Sequence, residues 1–166
     1  VDGMVNGAKK TILVADDDKN TSSAMREGLE DEGYIVLCAG SGTEGLELAR
    51  AKKPDLVLTD LMMPGMDGLV FLKTLKKLDP FLPVVIITGQ GSVETAVEAL
   101  KEGAADYLAK PVRMKDVVKL VARTLEVQAL RLENLTLKNR LKIVLPSEDP
   151  LEAQRRTDPK PAQGRQ

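Results

Sequence analysis

Apolar residues fall into two alternating kinds of segment along this chain. Five short runs, Thr11–Ala15, Tyr34–Cys38, Asp55–Thr59, Pro83–Thr88 and Asp106–Ala109, are rich in Val, Ile and Leu. Apolar runs of this length predict strands covered on both faces, as in a parallel sheet. The segments between them carry a helical period. Asn20–Glu32 opens on Asn/Thr capping chemistry and ends before Gly33, the residue type that closes helices. Ser41–Lys52 sets Leu46, Leu48 and Ala49 on one side and stops before Pro54. Gly68–Leu78 carries Val70, Phe71, Leu72, Leu75 and Leu78. Ser92–Glu102 opens on a Ser N-cap and spaces Val93, Ala96, Val97 and Leu100 along one helical face. A fifth helix begins after Pro111. Five strands alternating with five helices predict an α/β fold, a doubly wound parallel sheet with short right-handed connections.

The fifth helix is the unusual element. No Gly or Pro occurs from Val112 to Leu145, and one helix over 113–145 would reach about 50 Å at 1.5 Å per residue. A domain of this size does not cover that length, so the second half is expected to extend beyond it. Leu130, Asn134, Leu137, Leu141 and Val144 fit coiled-coil spacing, with Asn134 at a position where a lone Asn fixes register and dimer state. Val118, Val121, Leu125, Leu132 and Leu135 form a second stripe. The plainer reading is one amphipathic helix packed on its own domain or on a missing neighbour. Ahead of the body, 1–10 shows no period and reads as a leader. Four of the nine prolines lie in 146–166, which reads as a disordered linker or tail. The expected organisation is thus 1–10 leader, 11–127 main domain, 128–145 helix extension and 146–166 tail.

Composition narrows the function classes. The 166 residues carry 24 basic and 25 acidic side chains, a net charge of −1, so neither direct nucleic-acid binding nor a membrane-surface role is expected. No stretch is long and apolar enough to span a bilayer, and no secretory leader pattern appears. A cytoplasmic location is the expectation. Cys38 is the single cysteine and there is no histidine. An internal disulfide, a thiolate metal site, Ser-His-Asp catalysis and a phosphohistidine supplied by this chain are all excluded.

In an open parallel sheet, ligands bind at the carboxyl ends of the strands. There the first strand is followed by Asp16, Asp17 and Asp18, the third by Asp60, the fourth ends at Thr88 before Gly89, Gln90 and Gly91, and the fifth is followed by Lys110 and Pro111. Crowded carboxylates repel unless a cation neutralises them. Their oxygens suit Mg²⁺, a lysine can neutralise phosphoryl oxygens, and a carboxylate can accept a phosphoryl group covalently. The set reads as a site for Mg²⁺-assisted phosphoryl transfer to Asp60.

Four segments carry a family resemblance: Ile12-Leu13-Val14-Ala15-Asp16-Asp17, Asp60-Leu61-Met62-Met63-Pro64-Gly65-Met66-Asp67-Gly68, Ile87-Thr88-Gly89, and Asp106-Tyr107-Leu108-Ala109-Lys110-Pro111. Over about residues 10–127 the chain resembles the receiver domain of two-component response regulators. The resemblance implies a flavodoxin-like sheet of order 2-1-3-4-5. It implies Asp60 as phosphoacceptor, and Mg²⁺ held by Asp16, Asp17, Asp60 and the Met62 backbone carbonyl. Lys110 would contact the phosphoryl group, Thr88 would be the switch hydroxyl, Tyr107 the switch aromatic, and Lys110–Pro111 a cis peptide. The implied donor is a histidine kinase or phosphotransfer protein. The implied response is a change in the face formed by helix 4, strand 5 and helix 5, with homodimerisation there and through the extended helix. The implied role is a signalling switch rather than an enzyme beyond its own phosphorylation and dephosphorylation. The Val93-to-Val112 stretch and the long helix with Glu133-Asn134 resemble receivers that precede an ATPase transcription activator or a cyclic-dinucleotide phosphodiesterase.

Each residue also has a plainer reading. Asp16–Asp18 alone would be an acidic helix cap, and Asp18 fits that role best. Lys110 alone would be a solvated charge, Tyr107 a rim aromatic, Thr88 a strand-end turn residue, and Pro64-Gly65 a turn. Motifs gain weight from structural context, and here four stand in order at strand ends. Two other functions compete. A Mg²⁺-dependent phosphatase with an aspartyl-phosphate intermediate would need a carboxylate two positions after Asp60, where Met62 stands. A phosphorylation-independent dimerisation module would form the same oligomer with or without a phosphate mimic.

Overall fold

The computed structural model describes residues 4–5 and 8–144. Two short strands, β1 (Met4–Val5) and β2 (Ala8–Lys9), pair antiparallel. Two-residue strands are too short to show a hydrophobic period, which is why 1–10 reads as unpatterned. The body follows as β3 (Thr11–Ala15), α1 (Lys19–Asp31), β4 (Ile35–Ala39), α2 (Gly42–Lys52), β5 (Leu56–Thr59), α3 (Gly68–Leu78), β6 (Val84–Thr88), α4 (Val93–Lys101), β7 (Asp106–Ala109) and α5 (Met114–Val144). Contacts divide the chain into one compact unit ending at Gln128 and another starting at Ala129. The tail reading of 146–166 lies outside the described residues.

The five parallel strands lie in the order β4-β3-β5-β6-β7. Counting only these strands along the chain, this is 2-1-3-4-5, a doubly wound sheet with its switch point between β3 and β5. Alternate residues supply two cores on opposite faces. Leu13, Ala15, Val57, Val84 and Ile86 join Phe71, Leu72 and Leu75 of α3 and Leu46 of α2 on one side. Ile12, Val14, Leu56, Leu58, Val85 and Ile87 join Met25 and Leu29 of α1 and Val117, Val121 and Leu125 of α5 on the other. Burial on both faces explains why the central strands read as continuous apolar runs.

Helix starts follow local chemistry. Asp18, Ser41, Asp67 and Ser92 each accept a hydrogen bond from a first-turn backbone N–H, a contact worth about 1 kcal/mol. These caps fix the helices at the strand ends where polar residues gather.

Two helix faces differ from the apolar periodicity. On α4 only Ala99 is fully buried, whereas Val93, Val97 and Leu100 are exposed. Val70 and Leu78 of α3 are exposed as well. Periodicity identifies an apolar face but not what covers it. In the second unit, Leu130, Leu132, Leu135, Leu137 and Leu141 are all exposed, so both candidate stripes of the long helix present apolar side chains.

Candidate functional site

The switch point brings the ends of β3, β5, β6 and β7 together. Asp60 N–H donates to Ala15 O at 3.0 Å, Asp16 N–H to Ala39 O at 3.0 Å, and Lys110 N–H to Thr88 O at 2.9 Å. Parallel pairing thus continues one residue past each strand and delivers the three side chains to one rim. Ser22 of α1 donates its hydroxyl to Asp16 O at 3.2 Å and braces the first corner.

Asp60 lies at the centre, 8% exposed. Thr88 Oγ1 donates to Asp60 Oδ1 at 2.7 Å, and Met62 N–H donates to the same oxygen at 3.1 Å. Lys110 Nζ donates to Asp60 Oδ2 at 2.9 Å and to Asp16 Oδ2 at 2.8 Å. One ammonium therefore bridges two buried carboxylates. Asp17 is exposed beside them. Asp18 caps α1, accepting from Asn20 N–H and the Thr21 hydroxyl at 3.0 Å each. The plain capping role accounts for Asp18.

Burial pushes the Asp60 carboxyl up, but the Thr88, Lys110 and Met62 hydrogen bonds and the Lys110 charge more than offset it, leaving it below the ordinary 3.8. Burial likewise pushes Lys110 down, while its bonds to Asp16 and Asp60 raise it above 10.5. Asp60's contribution to stability is present above 3.8 and is lost as pH falls through its lower folded value. That of Lys110 is present below 10.5 and is lost as pH rises through its higher folded value. The Asp60 carboxyl carbon should titrate by NMR with a midpoint under 3.8; a midpoint above that value would contradict the assigned donors.

Glycine permits the close packing around the acceptor. A Cβ at Gly68 would stand 2.4 Å from Leu61 Cα and 2.8 Å from Asp60 O, so α3 starts directly against the backbone that carries Asp60. Gly65, at φ +80°, turns the loop between them.

Tyr107 on β7 is half-buried and packs against the α2–α3 core. Its hydroxyl is buried with no hydrogen-bond partner among the described residues. It sits over Gly91, where a Cβ would fall 1.5 Å from Tyr107 Oη. The sequence places Gly91 in the loop after β6, but only the fold reveals this approach. Ser22 is the other residue that sequence reasoning missed; a polar residue inside the first helical segment was its only signal. The Lys110–Pro111 peptide is cis.

The family model for the response regulator receiver domain matches residues 12–122. The chain belongs to this family. Among similar proteins, an NtrX-like response regulator of Rickettsia bellii (strain RML369-C) is 38% identical over 132 residues, which cover 78% of this chain and 28% of that protein. The C4-dicarboxylate transport transcriptional regulatory protein DctD of Rhizobium meliloti (strain 1021) is 37% identical over 131 residues, covering 79% of this chain and 28% of its own length. The receiver thus spans about a quarter of these relatives. Among solved structures, a CheY-like receiver domain protein from Methanospirillum hungatei JF-1 superposes with a TM-score of 0.73 at 33% identity. That match covers 75% of this chain and 99% of the other.

The charge balance suits a hard cation. Asp16 and Asp60 bring two carboxylates to the rim and share the one ammonium of Lys110, with the exposed Asp17 next in sequence. Among the described residues no three acidic or cysteine side chains are already gathered as a metal cage. The oxygens of Asp16 and Asp60 are the donor type that suits Mg²⁺.

Proposed function

We propose that this receiver is a phosphorylation-dependent switch in which Asp60 accepts a phosphoryl group from the phosphohistidine of a partner kinase or phosphotransfer protein. The observation that carries the reading is a buried carboxylate at the sheet switch point with a shared ammonium on one oxygen and a hydroxyl and an N–H on the other. The Asp60 carboxylate attacks phosphorus in line. As the new P–O bond forms, the donor's P–N bond breaks, and the departing imidazole takes up a proton. This chain has no histidine, so the donor's phosphohistidine lies outside these 166 residues. Lys110 stabilises charge on the transferring oxygens from a position already fixed before reaction. Asp16, Asp17, Asp60 and the Met62 carbonyl would hold Mg²⁺. Its chemistry, when bound, is neutralisation of the phosphoryl oxygens.

The product adds negative charge and acceptor oxygens where Thr88 and Lys110 now meet the carboxylate. Thr88 follows the new oxygens, Gln90 follows through its 3.3 Å N–H bond to the Thr88 hydroxyl, and Tyr107 repacks. The α4–β7–α5 face is the readout. The exposed Val93, Val97 and Leu100 support its use as a contact surface, and DctD's description as a transcriptional regulator supports transcription over a phosphodiesterase as the output. A cytoplasmic location accords with this role; no described helix is long and apolar enough to cross a membrane.

Intact mass after incubation with Mg²⁺ and a small acyl phosphate tests the reading. One added phosphoryl group is expected, absent when the metal is chelated. Homodimerisation through the α4–β7–α5 face and the long helix is the second part of the proposal. Leu137→Asp, placing charge on the coiled-coil stripe, should weaken self-association about tenfold or more. Sedimentation velocity measures this; an unchanged dimer fraction would remove the helix from the interface.

A further inference from the structure

Among the described residues, the Tyr107 hydroxyl occupies a seat that gives it nothing to bond. Burying an O–H without an acceptor leaves its desolvation uncompensated, so shape and apolar contact must hold the ring. The seat's floor is residue 91. A Cβ there would stand 1.5 Å from Tyr107 Oη, 2.7 Å from Cζ and 3.0 Å from Thr88 Cγ2. Gly91 does not serve backbone conformation, since among the described residues the glycines with positive φ are Gly33, Gly65 and Gly103. Its requirement is spatial.

We propose that Gly91 is the positioning residue that couples the acceptor site to the β7 face, because its missing side chain opens the seat for Tyr107. This rests on the phosphoacceptor reading above. The seat is tied to Asp60 through one residue. Thr88 contributes its methyl to the wall and its hydroxyl to Asp60 Oδ1 at 2.7 Å. Gln90 N–H reaches that same hydroxyl at 3.3 Å, so the loop leading to Gly91 moves with Thr88. A shift of Thr88 toward or away from the acceptor therefore changes the space offered to the ring. With no hydrogen bond locking it, Tyr107 responds by a change in population. A methyl at 91 closes the seat. The cheapest atom to displace is the free end of the tyrosine, so the ring leaves and the site loses its outlet.

The test uses the full 166-residue chain as wild type, Gly91→Ala, Tyr107→Leu and the double variant. Beryllofluoride with Mg²⁺ is the phosphoryl stand-in, and ring-¹³C tyrosine NMR reports the two tyrosines, Tyr34 and Tyr107. Without ligand, Gly91→Ala should move the Tyr107 ring signal to a solvent-exposed position; identical spectra would overturn the seat. With ligand, Gly91→Ala should change beryllofluoride affinity about fivefold or more, by reciprocity of coupling, and show no Tyr107 response. In the Tyr107→Leu background the Gly91→Ala effect on affinity should fall below about twofold; an undiminished effect would assign it to the loop and overturn the coupling. Wild-type failure to bind beryllofluoride would instead sink the phosphoacceptor reading and the coupling with it, while the ligand-free spectra still judge the seat. Ala at a compatible backbone position does not destabilise through the chain itself, so unfolding is not the expected cause of a lost response.

Discussion

Replacing Asp60 with asparagine should abolish phosphoryl uptake while leaving the fold almost untouched. An amide is not a nucleophile toward phosphorus, so the rate should fall by about a thousandfold or more. Intact mass during incubation with acyl phosphate and Mg²⁺ gives the comparison. The stability expectation comes from the partners. Asparagine is nearly isosteric, and its carbonyl oxygen can still accept from Thr88 Oγ1 and Met62 N–H, which now meet Oδ1 at 2.7 and 3.1 Å. Lys110 keeps its bond to Asp16 at 2.8 Å. The net change in a urea melt should therefore stay within about 1 kcal/mol. Full uptake by Asp60→Asn would place the acceptor elsewhere and end the assignment.

Lys110→Met should slow uptake by about a hundredfold to a thousandfold, the scale set by removing one preorganised charge-stabilising donor. It should also destabilise the free protein. Asp16 and Asp60 are 6% and 8% exposed and share this ammonium. Removing it leaves two neighbouring carboxylates without their cation. For a fully buried pair such a loss costs about 3–5 kcal/mol. The Lys110 side chain is 23% exposed, so solvent screening lowers the expectation to about 1–3 kcal/mol. Two secondary results separate this cause from a packing defect. As pH falls from 3.8 through the lower folded value of Asp60, the gap between variant and wild type should close. Millimolar Mg²⁺ should narrow it as well, by replacing the lost positive charge. A gap independent of both pH and Mg²⁺ would point to packing of the lysine stem instead.

The strands and the site were legible in the sequence for the same physical reason. Leu13, Val57 and Ile86 face one core while Val14, Leu58 and Ile87 face the other, and burial on both sides leaves a continuous apolar run. Where such a run ends, polar residues take over although still largely buried: Asp16, Asp60 and Thr88, with Lys110 half-buried beside them. Boundaries shifted by a residue at β4, where Tyr34 is buried by side-chain packing ahead of the Ile35–Ala39 strand. Coverage was less legible. Val93, Val97 and Leu100 keep a helical period but stay exposed, because periodicity records a face and not its partner. The Gly91–Tyr107 approach was not legible at all. It joins residues from β7 and the loop after β6 through a separation that no local pattern encodes.

The sparse attachment of α4 has a consequence for how this molecule can change over generations. Ala99 is its one fully buried side chain, so little of the free energy of folding is invested in which residues occupy the rest of the helix. Surface substitutions of that kind ordinarily move stability by no more than about 0.5 kcal/mol. On the proposed reading, the outer face of α4 can thus be rewritten for a different listener while the site at the ends of β3, β5, β6 and β7 stays as it is. Divergence of who hears the signal is uncoupled from the upkeep of how the signal is made.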